Sequence, residues 1–417
     1  MRHSTNLYGI NKVSNKTILF IVHQFPSLSE TFLYTLIDNL QAIGFNVKVV
    51  ARYRGNAPNK PSFSSKVKYL PAENRNVIVK CICTLFWLLQ YFFDDYCNAI
   101  KFVKFLYSRE HNIKKIFRLA YILLPLLLIK TDLTYFSFGG LAAKYLEYIK
   151  FSRTPSFFSL RGRDIYVDPL VYIAYRQRLI EAMKYSAGIH CVCRDIEEKA
   201  KKLANCTSIP TRVIYTAVNP LFLSENIDKI GSLDSKQVRV ISFGRLDWSK
   251  GFEHGMMAIR EVIRSGYDIL WDIYGSGQYD LCLKWAIRDL GLVGKVFIHE
   301  GVTQHEVAKL LKVSDIYFQP SVREGISNSV IEAMAIGLPV VVCNVGGMSE
   351  IIANGENGFL VPIYDWRLMA KIIKQLSVDF ELRKVIGYRA KSTCYNLFLP
   401  EKQQIEWLNF FNNRQDL

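Results

Sequence analysis

The sequence predicts an α/β protein of two doubly wound domains, each with a parallel sheet, facing each other across a cleft. Three observations lead to this fold class. Short apolar runs of strand-forming residues alternate with helical patterns, first over residues 17–215 and again over 238–390. A polar segment, 224–237, separates the two series. A chain of 417 residues is long enough for two ordinary domains and longer than is usual for one.

The first series opens with a β-α-β unit. Residues 17–22 form an apolar run typical of a buried strand, and Ser29-Glu30-Thr31 has the pattern of a helix start. That helix is expected to end at Gly44, before a strand at 46–51. Residues 53–66, rich in Pro, Ser and Asn, are expected to form a loop. Further strands are predicted at 133–138, 156–160, 188–193 and 211–215.

The second series predicts a second parallel sheet. Its strands are expected at 238–243, 269–274, 295–298, 315–319 and 338–342. Its helices are expected at 252–265, 279–290, 304–312, 328–336, 348–353 and 365–390, with a last helix at 401–412. The predicted domains are therefore 1–223, a linker at 224–237, 238–395, and a C-terminal helix within 396–417. Ligands of such sheets bind at the carboxyl ends of the strands.

Positive charge is concentrated in the first half of the chain. The formal net charge is +16, and residues 1–220 hold 31 Lys and Arg against 14 Asp and Glu, whereas the remainder holds 22 against 23. This excess indicates an anionic partner, such as an anionic membrane surface or a phosphorylated substrate. A generally basic proteome is the alternative explanation. Nucleic acid is not expected, because the basic residues lack the interleaved aromatics of an RNA-binding sheet.

Cysteine usage and hydropathy predict a cytoplasmic protein without a structural metal. The nine cysteines show neither a disulfide framework nor zinc-site spacing, and we expect no secretory signal. The most apolar segments are 77–107 and 116–129. The first is interrupted by charges and the second is too short to span a bilayer. We expect them to form core helices, or helices that lie in a membrane interface.

The most informative stretch is 321–350, where a strand is followed by a loop and a helix. The helix is expected to begin at Ser327 and Asn328, where unpaired N–H groups favour a phosphate. Glu324 is expected in the preceding loop. Glu332 is expected about one turn further in, where a carboxylate can accept two hydrogen bonds from a ribose diol. Either glutamate alone could instead complement the helix dipole.

A second motif follows strand 238–243. Arg245 and Lys250 stand five residues apart across a tight turn and can converge on one anion, although a solvated surface pair is the alternative. Gly346 and Gly347 allow a close approach of the backbone to a ligand. Gly275 and Gly277 form a Gly-x-Gly pattern, which is common in βα turns and is a weak signal alone.

Together these motifs resemble those of the retaining glycosyltransferases of family 4, which have the GT-B fold of two Rossmann-like domains. That family has two glutamates separated by seven residues, here Glu324 and Glu332. The resemblance implies that Glu332 holds the donor ribose and that Glu324 contacts the transferred sugar. It also implies that Arg245 and Lys250 hold the donor pyrophosphate in place of a metal, so that Arg245, Lys250 and Glu324 are the catalytic candidates. The other implied donor-binding residues are Gly325, Ile326, Ser327, Asn328, Gly275, Gly277, Gly346 and Gly347. In this family the C-terminal helix returns to the first domain.

Two stretches of the first half are assigned to the acceptor or sugar side. Residues 25–32 resemble a Phe-Pro-x-x-Ser-Glu-Thr-Phe stretch of a subgroup associated with bacterial exopolysaccharide and O-antigen assembly, although Ser29 and Glu30 could simply cap a helix. The second stretch contains Arg161, Arg163 and Asp164, where many relatives have His-Gly-x-Asp. Arg161 replaces that histidine. It cannot act as a base near neutral pH but can bind a phosphate.

The predicted function is retaining, metal-independent transfer of a sugar from a UDP- or GDP-linked donor to a growing glycan of a bacterial surface polysaccharide. The acceptor is expected to be polyprenyl-diphosphate-linked or an oligosaccharide. The protein is expected at the inner face of the cytoplasmic membrane, with no cofactor besides its substrates. The alternatives are a catalytically altered assembly partner, a nucleotide-sugar epimerase and a sugar-phosphate synthase on the same scaffold.

Overall fold

The chain divides into two compact units. In the computed structural model, residues 16–27, 30–55, 67–223 and 237–412 are described. The first unit comprises Met1–His190, Ala200–Arg212 and Trp407–Leu417, and the second comprises Cys191–Lys199 and Val213–Glu406. Ser29 and most of the predicted loop and linker lie outside the described residues, and the predicted domain boundaries stay predictions.

The first half forms a sheet with the strand order β3-β2-β1-β4-β5-β6-β7. Its strands are β1 Thr17–Phe25, β2 Asn46–Arg54, β3 Lys68–Tyr69, β4 Leu133–Phe136, β5 Ser156–Leu160, β6 Gly188–Cys191 and β7 Thr211–Val213. Its helices are α1 Thr31–Ala42, α2 Val77–Asp94, α3 Tyr96–Arg109, α4 Ile113–Leu127, α5 Gly139–Lys144, α6 Leu146–Phe151, α7 Gly162–Tyr166, α8 Asp168–Val171, α9 Ile173–Tyr185 and α10 Arg194–Ala204. The strand β1 pairs in parallel with β2 and β4, and its apolar run is fully buried, as expected for a central strand covered on both faces.

The second half forms a parallel sheet with the order β10-β9-β8-β11-β12-β13. Its strands are β8 Val238–Phe243, β9 Ile269–Tyr274, β10 Val296–His299, β11 Ile316–Gln319, β12 Val340–Cys343 and β13 Phe359–Val361. Its helices are α11 Phe252–Arg264, α12 Asp280–Asp289, α13 Gln304–Lys312, α14 Asn328–Ile336, α15 Trp366–Val378, α16 Phe380–Leu397 and α17 Pro400–Asn412. Short 3₁₀ turns lie at Pro220–Phe222, Trp248–Lys250 and Gly346–Glu350. The two sheets confirm the predicted α/β class.

The end of α17 belongs to the first unit, as predicted. Trp407 lies against Tyr135 of β4, with their ring centroids 5.6 Å apart, and Phe411 lies against Phe157 of β5 at 5.2 Å. These buried aromatic side chains explain why the last turns of α17 leave the second unit.

Some predicted elements differ from the structure. The apolar segment 77–107 breaks at Asp95, which accepts a hydrogen bond from the Asn98 N–H and so begins α3. The stretch 365–390 breaks in the same way at Asp379, the N-cap of α16. The helix predicted at 348–353 is instead the 3₁₀ turn Gly346–Glu350. The short strands β3 and β13 do not correspond to any predicted strand.

The expectation of a core helix is wrong for α2. Only Thr84 and Tyr91 of its 18 residues are buried, whereas α4 buries six of 15. Within the described residues, α2 is the one helix that is long and apolar enough to cross a membrane, with a mean hydropathy of 1.6.

Candidate functional site

A Lys–Glu pair lies at the carboxyl edge of the second sheet. Lys250 follows β8 and Glu324 follows β11, and because these strands are neighbours, their loops meet. The Lys250 Nζ lies 2.5 Å from the Glu324 Oε1, and the two side chains are only 13% and 14% exposed. Little water screens this pair, so it holds both side chains in place more firmly than a surface ion pair would.

A polar network that the sequence patterns did not reveal holds Glu324. The same Oε1 accepts hydrogen bonds from the Gln319 Nε2 at 2.6 Å and the Ser321 Oγ at 2.9 Å. The Gln319 Oε1 in turn accepts from the Tyr317 hydroxyl at 2.9 Å and the Ser327 Oγ at 3.0 Å. The network therefore connects the end of β11, the loop of Glu324 and the start of α14. Gln319 ends the otherwise apolar strand β11 and Ser321 lies two residues later, so no periodic signal marks them.

Glycines next to Arg245 and Lys250 make room for the lysine and its turn. A Cβ at Gly244 would lie 3.0 Å from the Lys250 Cε, and a Cβ at Gly251, where φ is +61°, would lie 2.3 Å from the Pro320 carbonyl oxygen. Arg245 is 62% exposed and lies 3.6 Å from the Asp247 carboxylate. The two predicted phosphate-binding cations thus have different surroundings, one exposed and one nearly buried.

Gly275 and Gly277 lie where the loops after β8 and β9 touch. A Cβ at Gly275 would lie 1.8 Å from the Gly244 carbonyl oxygen, and one at Gly277 would lie 2.2 Å from the Leu246 carbonyl oxygen. A backbone hydrogen bond of 2.9 Å, from the Leu246 N–H to the Ser276 carbonyl oxygen, also joins these loops. The close backbone contact is enough to explain why glycine occupies both positions. Their role in donor binding stays a prediction.

Glu332 lies in the second turn of α14. Burial raises the pKa of Glu332 to about 8, and its Oε1 accepts a hydrogen bond from the Gln304 Nε2 at 3.2 Å. At the start of the same helix, the Ser327 side chain accepts no cap hydrogen bond, and its hydroxyl donates to the Gln319 Oε1. The first N–H groups of α14 therefore lack the usual side-chain acceptor, which suits an anionic ligand.

The Gly346-Gly347 turn is packed against the loop of Glu324. The Gly347 N–H donates to the Gly325 carbonyl oxygen at 2.7 Å, and a Cβ at Gly346, where φ is +56°, would lie 2.1 Å from the Glu324 carbonyl oxygen. At the end of this turn, Glu350 accepts hydrogen bonds from the Arg194 N–H at 3.0 Å and the Tyr215 hydroxyl at 2.9 Å. The turn therefore fixes the position of the loop that carries Glu324.

In the first unit, Arg161 lies in an aromatic environment. Its guanidinium carbon is 3.5 Å from the ring centroid of Phe32 and 5.9 Å from that of Phe138. Burial lowers the pKa of Arg161 to about 10 and raises the pKa of Glu30 to about 7, while their opposite charges partly offset both shifts. Among the described residues, the Arg161 Nε and the Glu30 Oε2 are buried polar atoms without a hydrogen-bond partner. Glu30 also does not cap α1 with its side chain, so the helix-cap alternative is wrong for this residue.

Asp164 and Arg163 make hydrogen bonds within the first unit. The Asp164 carboxylate accepts hydrogen bonds from the Gly140 N–H and the Arg161 N–H, each at 3.0 Å, and so joins the starts of α5 and α7. Burial raises the pKa of Asp164 to about 6, although these backbone donors oppose the shift. Arg163 is exposed and its Nε donates to Asp168 at 3.0 Å. Of the predicted acceptor-side residues that are described, Arg161 and Glu30 are therefore the two that have a buried polar atom without a hydrogen-bond partner.

A charged cluster at the carboxyl end of β2 was not predicted. The Arg52 guanidinium lies 2.8 Å from the Glu73 carboxylate, which also pairs with Lys144. Burial lowers the pKa of His23, and the charges of Arg52 and Lys144 lower it further. A small cavity beside this cluster is lined by Arg52, Tyr53, Leu70, Pro71, Ala72, Glu73, Tyr121, Ile122 and Tyr145.

The cysteines and acidic residues that the structure describes form no evident metal site. The nine cysteines, which all lie in the described ranges, form no disulfide with one another, and Cys191, Cys193, Cys343 and Cys394 are buried. No group of three or more His, Cys, Asp or Glu side chains in the described ranges is arranged to hold a metal ion.

Comparison with known proteins identifies the second unit. Residues 224–393 match the family described as glycosyl transferases group 1. The match covers about two fifths of the chain, and these residues carry a domain of this group. The predicted family and enzyme class are therefore confirmed.

Among curated relatives, the uncharacterized glycosyltransferase MJ1607 of Methanocaldococcus jannaschii is 28% identical over 56% of this chain. The match spans 63% of that relative, just under two thirds of its length. The amylovoran biosynthesis glycosyltransferase AmsK of Erwinia amylovora is 25% identical over 94% of this chain and 98% of its own length. Among solved structures, Anabaena HepE in complex with UDP and glucose has a TM-score of 0.70 at 16% identity, over 95% of this chain and all of that one. This likeness confirms the GT-B fold.

Proposed function

We propose that this glycosyltransferase moves a sugar from a nucleotide diphosphate sugar to a growing glycan of a bacterial surface polysaccharide. The observation that carries the proposal is the nearly buried Lys250–Glu324 pair, held by Gln319 and Ser321 beside the start of α14. The arrangement offers a fixed cation and helix N–H groups for a diphosphate, and a fixed carboxylate for sugar hydroxyls. The polysaccharide class is supported by AmsK, which is named for amylovoran biosynthesis.

In the proposed reaction the anomeric configuration is retained. The bond between the anomeric carbon and the diphosphate oxygen breaks, and the acceptor oxygen forms the new bond on the same face of the sugar. The proton of the acceptor hydroxyl passes to the leaving phosphate oxygen. Lys250 and Arg245 stabilise the negative charge of the leaving nucleoside diphosphate without a metal ion, and Glu332 binds the ribose. HepE, whose structure contains UDP and glucose, supports UDP as the nucleotide.

We propose further that the acceptor is lipid-linked through a polyprenyl diphosphate, or is an oligosaccharide of the same pathway. The basic excess of residues 1–220 supports an anionic acceptor or an anionic membrane surface. In the first unit, Arg161 and Glu30 have the unpartnered atoms that an acceptor phosphate or hydroxyl could use. The protein would then act at the inner face of the cytoplasmic membrane.

Thermal-shift titration with UDP, GDP, ADP and CMP in the presence of EDTA tests the donor site. One nucleotide at about 100 times its Kd should stabilise the protein by about 2.7 kcal/mol. If none stabilises it, the donor site is wrongly assigned. If the stabilising nucleotide requires Mg²⁺, the metal-independent reaction is excluded.

Product analysis tests the chemistry. The proton NMR coupling at the new anomeric centre should show the same configuration as the donor, and an inverted product would overturn the proposed mechanism. Epimerised donor formed without any acceptor would instead identify a nucleotide-sugar epimerase.

A further inference from the structure

An exposed apolar face runs along α2. Its members share one side of the helix and recur every three or four residues, and we define the α2 apolar face as Ile78, Ile82, Leu85, Phe86, Leu89 and Phe93. Each of these side chains is more than half exposed. Scattered exposed apolar residues need no explanation, but a continuous stripe of six indicates an interaction surface.

The opposite side of α2 packs on its own unit. Thr84 and Tyr91 are buried, the Trp87 ring lies 5.6 Å from that of Tyr121 in α4, and the Tyr91 ring lies 6.0 Å from that of Phe102 in α3. The helix is therefore held in place by the neighbouring helices α3 and α4, and its apolar face is a stable feature of the folded unit rather than a frayed segment.

The charge of this helical region is complementary to an anionic surface. Residues 75–118, which include α2 and α3, contain eight Lys and Arg against three Asp and Glu. Exposed members in α3 and α4 include Lys101, Lys104, Lys114, Lys115 and Arg118. Two of the three acids have partners within the region, since Asp95 caps α3 and Glu110 lies 3.3 Å from Lys115. An apolar helix face, together with excess positive charge on the helices packed against it, is expected of a region that binds anionic lipid.

We propose that the α2 apolar face inserts into the surface of an anionic bilayer, with α2 lying in the interface and the cations of α3 and α4 at the headgroups. This inference rests on the proposed membrane-linked acceptor and names the surface that would bring the enzyme to it. A spanning α2 is disfavoured for two reasons. Its 18 residues extend only about 27 Å against a hydrocarbon core of about 30 Å, and one of its sides is covered by protein.

Co-sedimentation of the full chain with vesicles tests the proposal. The variant Ile82→Glu/Phe86→Glu changes two side chains that are each 62% exposed and one helical turn apart. A matched control is Leu281→Glu/Trp285→Glu on α12, where the side chains are 77% and 69% exposed with the same spacing. We expect wild type and control to bind phosphatidylcholine vesicles containing phosphatidylglycerol, and the α2 variant to bind at least about tenfold more weakly.

Three results would overturn the inference. The first is wild-type binding by the α2 variant. The second is retention of wild type on vesicles after extraction at alkaline pH, which would indicate a spanning helix. The third is a wild-type dimer that the α2 substitutions dissociate, with neither wild type nor variant binding vesicles, which would assign the face to a second copy of the chain.

Stabilisation by UDP, measured on each variant, shows whether the second unit is folded. It also separates the two proposals, because an intact UDP response without vesicle binding refutes only the membrane surface.

Discussion

Replacing Glu332 with glutamine removes a carboxyl group whose ionisation the fold opposes. Burial raises the pKa of Glu332 from 4.5 to about 8. Between these two values the unfolded chain has lost the proton and the folded chain retains it, so rising pH favours unfolding. Stability attributable to this group is therefore present below pH 4.5 and is lost as the pH rises towards 8.

The size of this loss of stability follows from the shift in the pKa of Glu332. A shift of about 3.5 pH units at about 1.4 kcal/mol each sets an upper limit of about 5 kcal/mol. Partial contact with solvent and the hydrogen bond from Gln304 favour the ionised form and reduce that limit. We expect the free energy of unfolding of wild type to fall by about 2 kcal/mol relative to Glu332→Gln between pH 5 and pH 8.

Urea unfolding of both proteins at pH 5, 6, 7 and 8 measures this difference. Glu356→Gln is the control, because the Glu356 side chain is exposed on the surface of the same unit. If the free energies of unfolding of wild type and Glu332→Gln change in parallel with pH, the reasoning is refuted.

Affinity for UDP provides a second measurement. If ribose hydroxyls donate to the Glu332 carboxylate, the affinity of wild type relative to Glu332→Gln should rise with pH.

Two further predictions concern the lysine and the loop glycines of the second unit. Lys250→Ala should lower kcat by about 10²–10³-fold with a smaller effect on UDP binding, because the cation acts mainly on the leaving diphosphate. The control is Lys284→Ala, which changes an exposed surface lysine and should leave both kcat and UDP binding unchanged. Equal kinetics for the two variants would exclude Lys250 from catalysis. Gly275→Ala should cost about 3 kcal/mol of stability, because its Cβ would lie 1.8 Å from the Gly244 carbonyl oxygen, whereas Gly301→Ala, with no atom within 4 Å, should change the melting temperature little.

The nearly buried Lys250–Glu324 pair changes the interpretation of the two signature glutamates. Sequence patterns placed Glu324 and Glu332 together as one motif, but their environments differ. Glu324 is paired with a cation and accepts hydrogen bonds from Gln319 and Ser321, whereas burial without a cationic partner raises the pKa of Glu332. The first is therefore suited to act as a fixed carboxylate, and the second as a carboxyl whose ionisation can respond to a ligand.

The α2 helix shows the limit of hydropathy alone. The sequence indicated that 77–107 is apolar and interrupted by charge, which is compatible with a core helix or an interfacial one. The choice depends on which side of the helix is covered. Trp87 packs on α4 and Tyr91 packs on α3, and the other side of α2 is left exposed. The number of apolar residues in a segment does not show which side of the helix is covered.

By itself the sequence determined the α/β class, the strand and helix series and the loops that carry Arg245, Lys250, Glu324 and Glu332. These follow from local periodicity and from short motifs, which are properties of neighbouring residues. Only the tertiary structure decided that Lys250 pairs with Glu324 across 74 positions, that Glu73 joins Arg52 to Lys144, and that Arg161 lies over Phe32. Such partners are set by which strands are adjacent in a sheet and which helices pack together. Because the residues are far apart along the chain, no local pattern specifies that they meet.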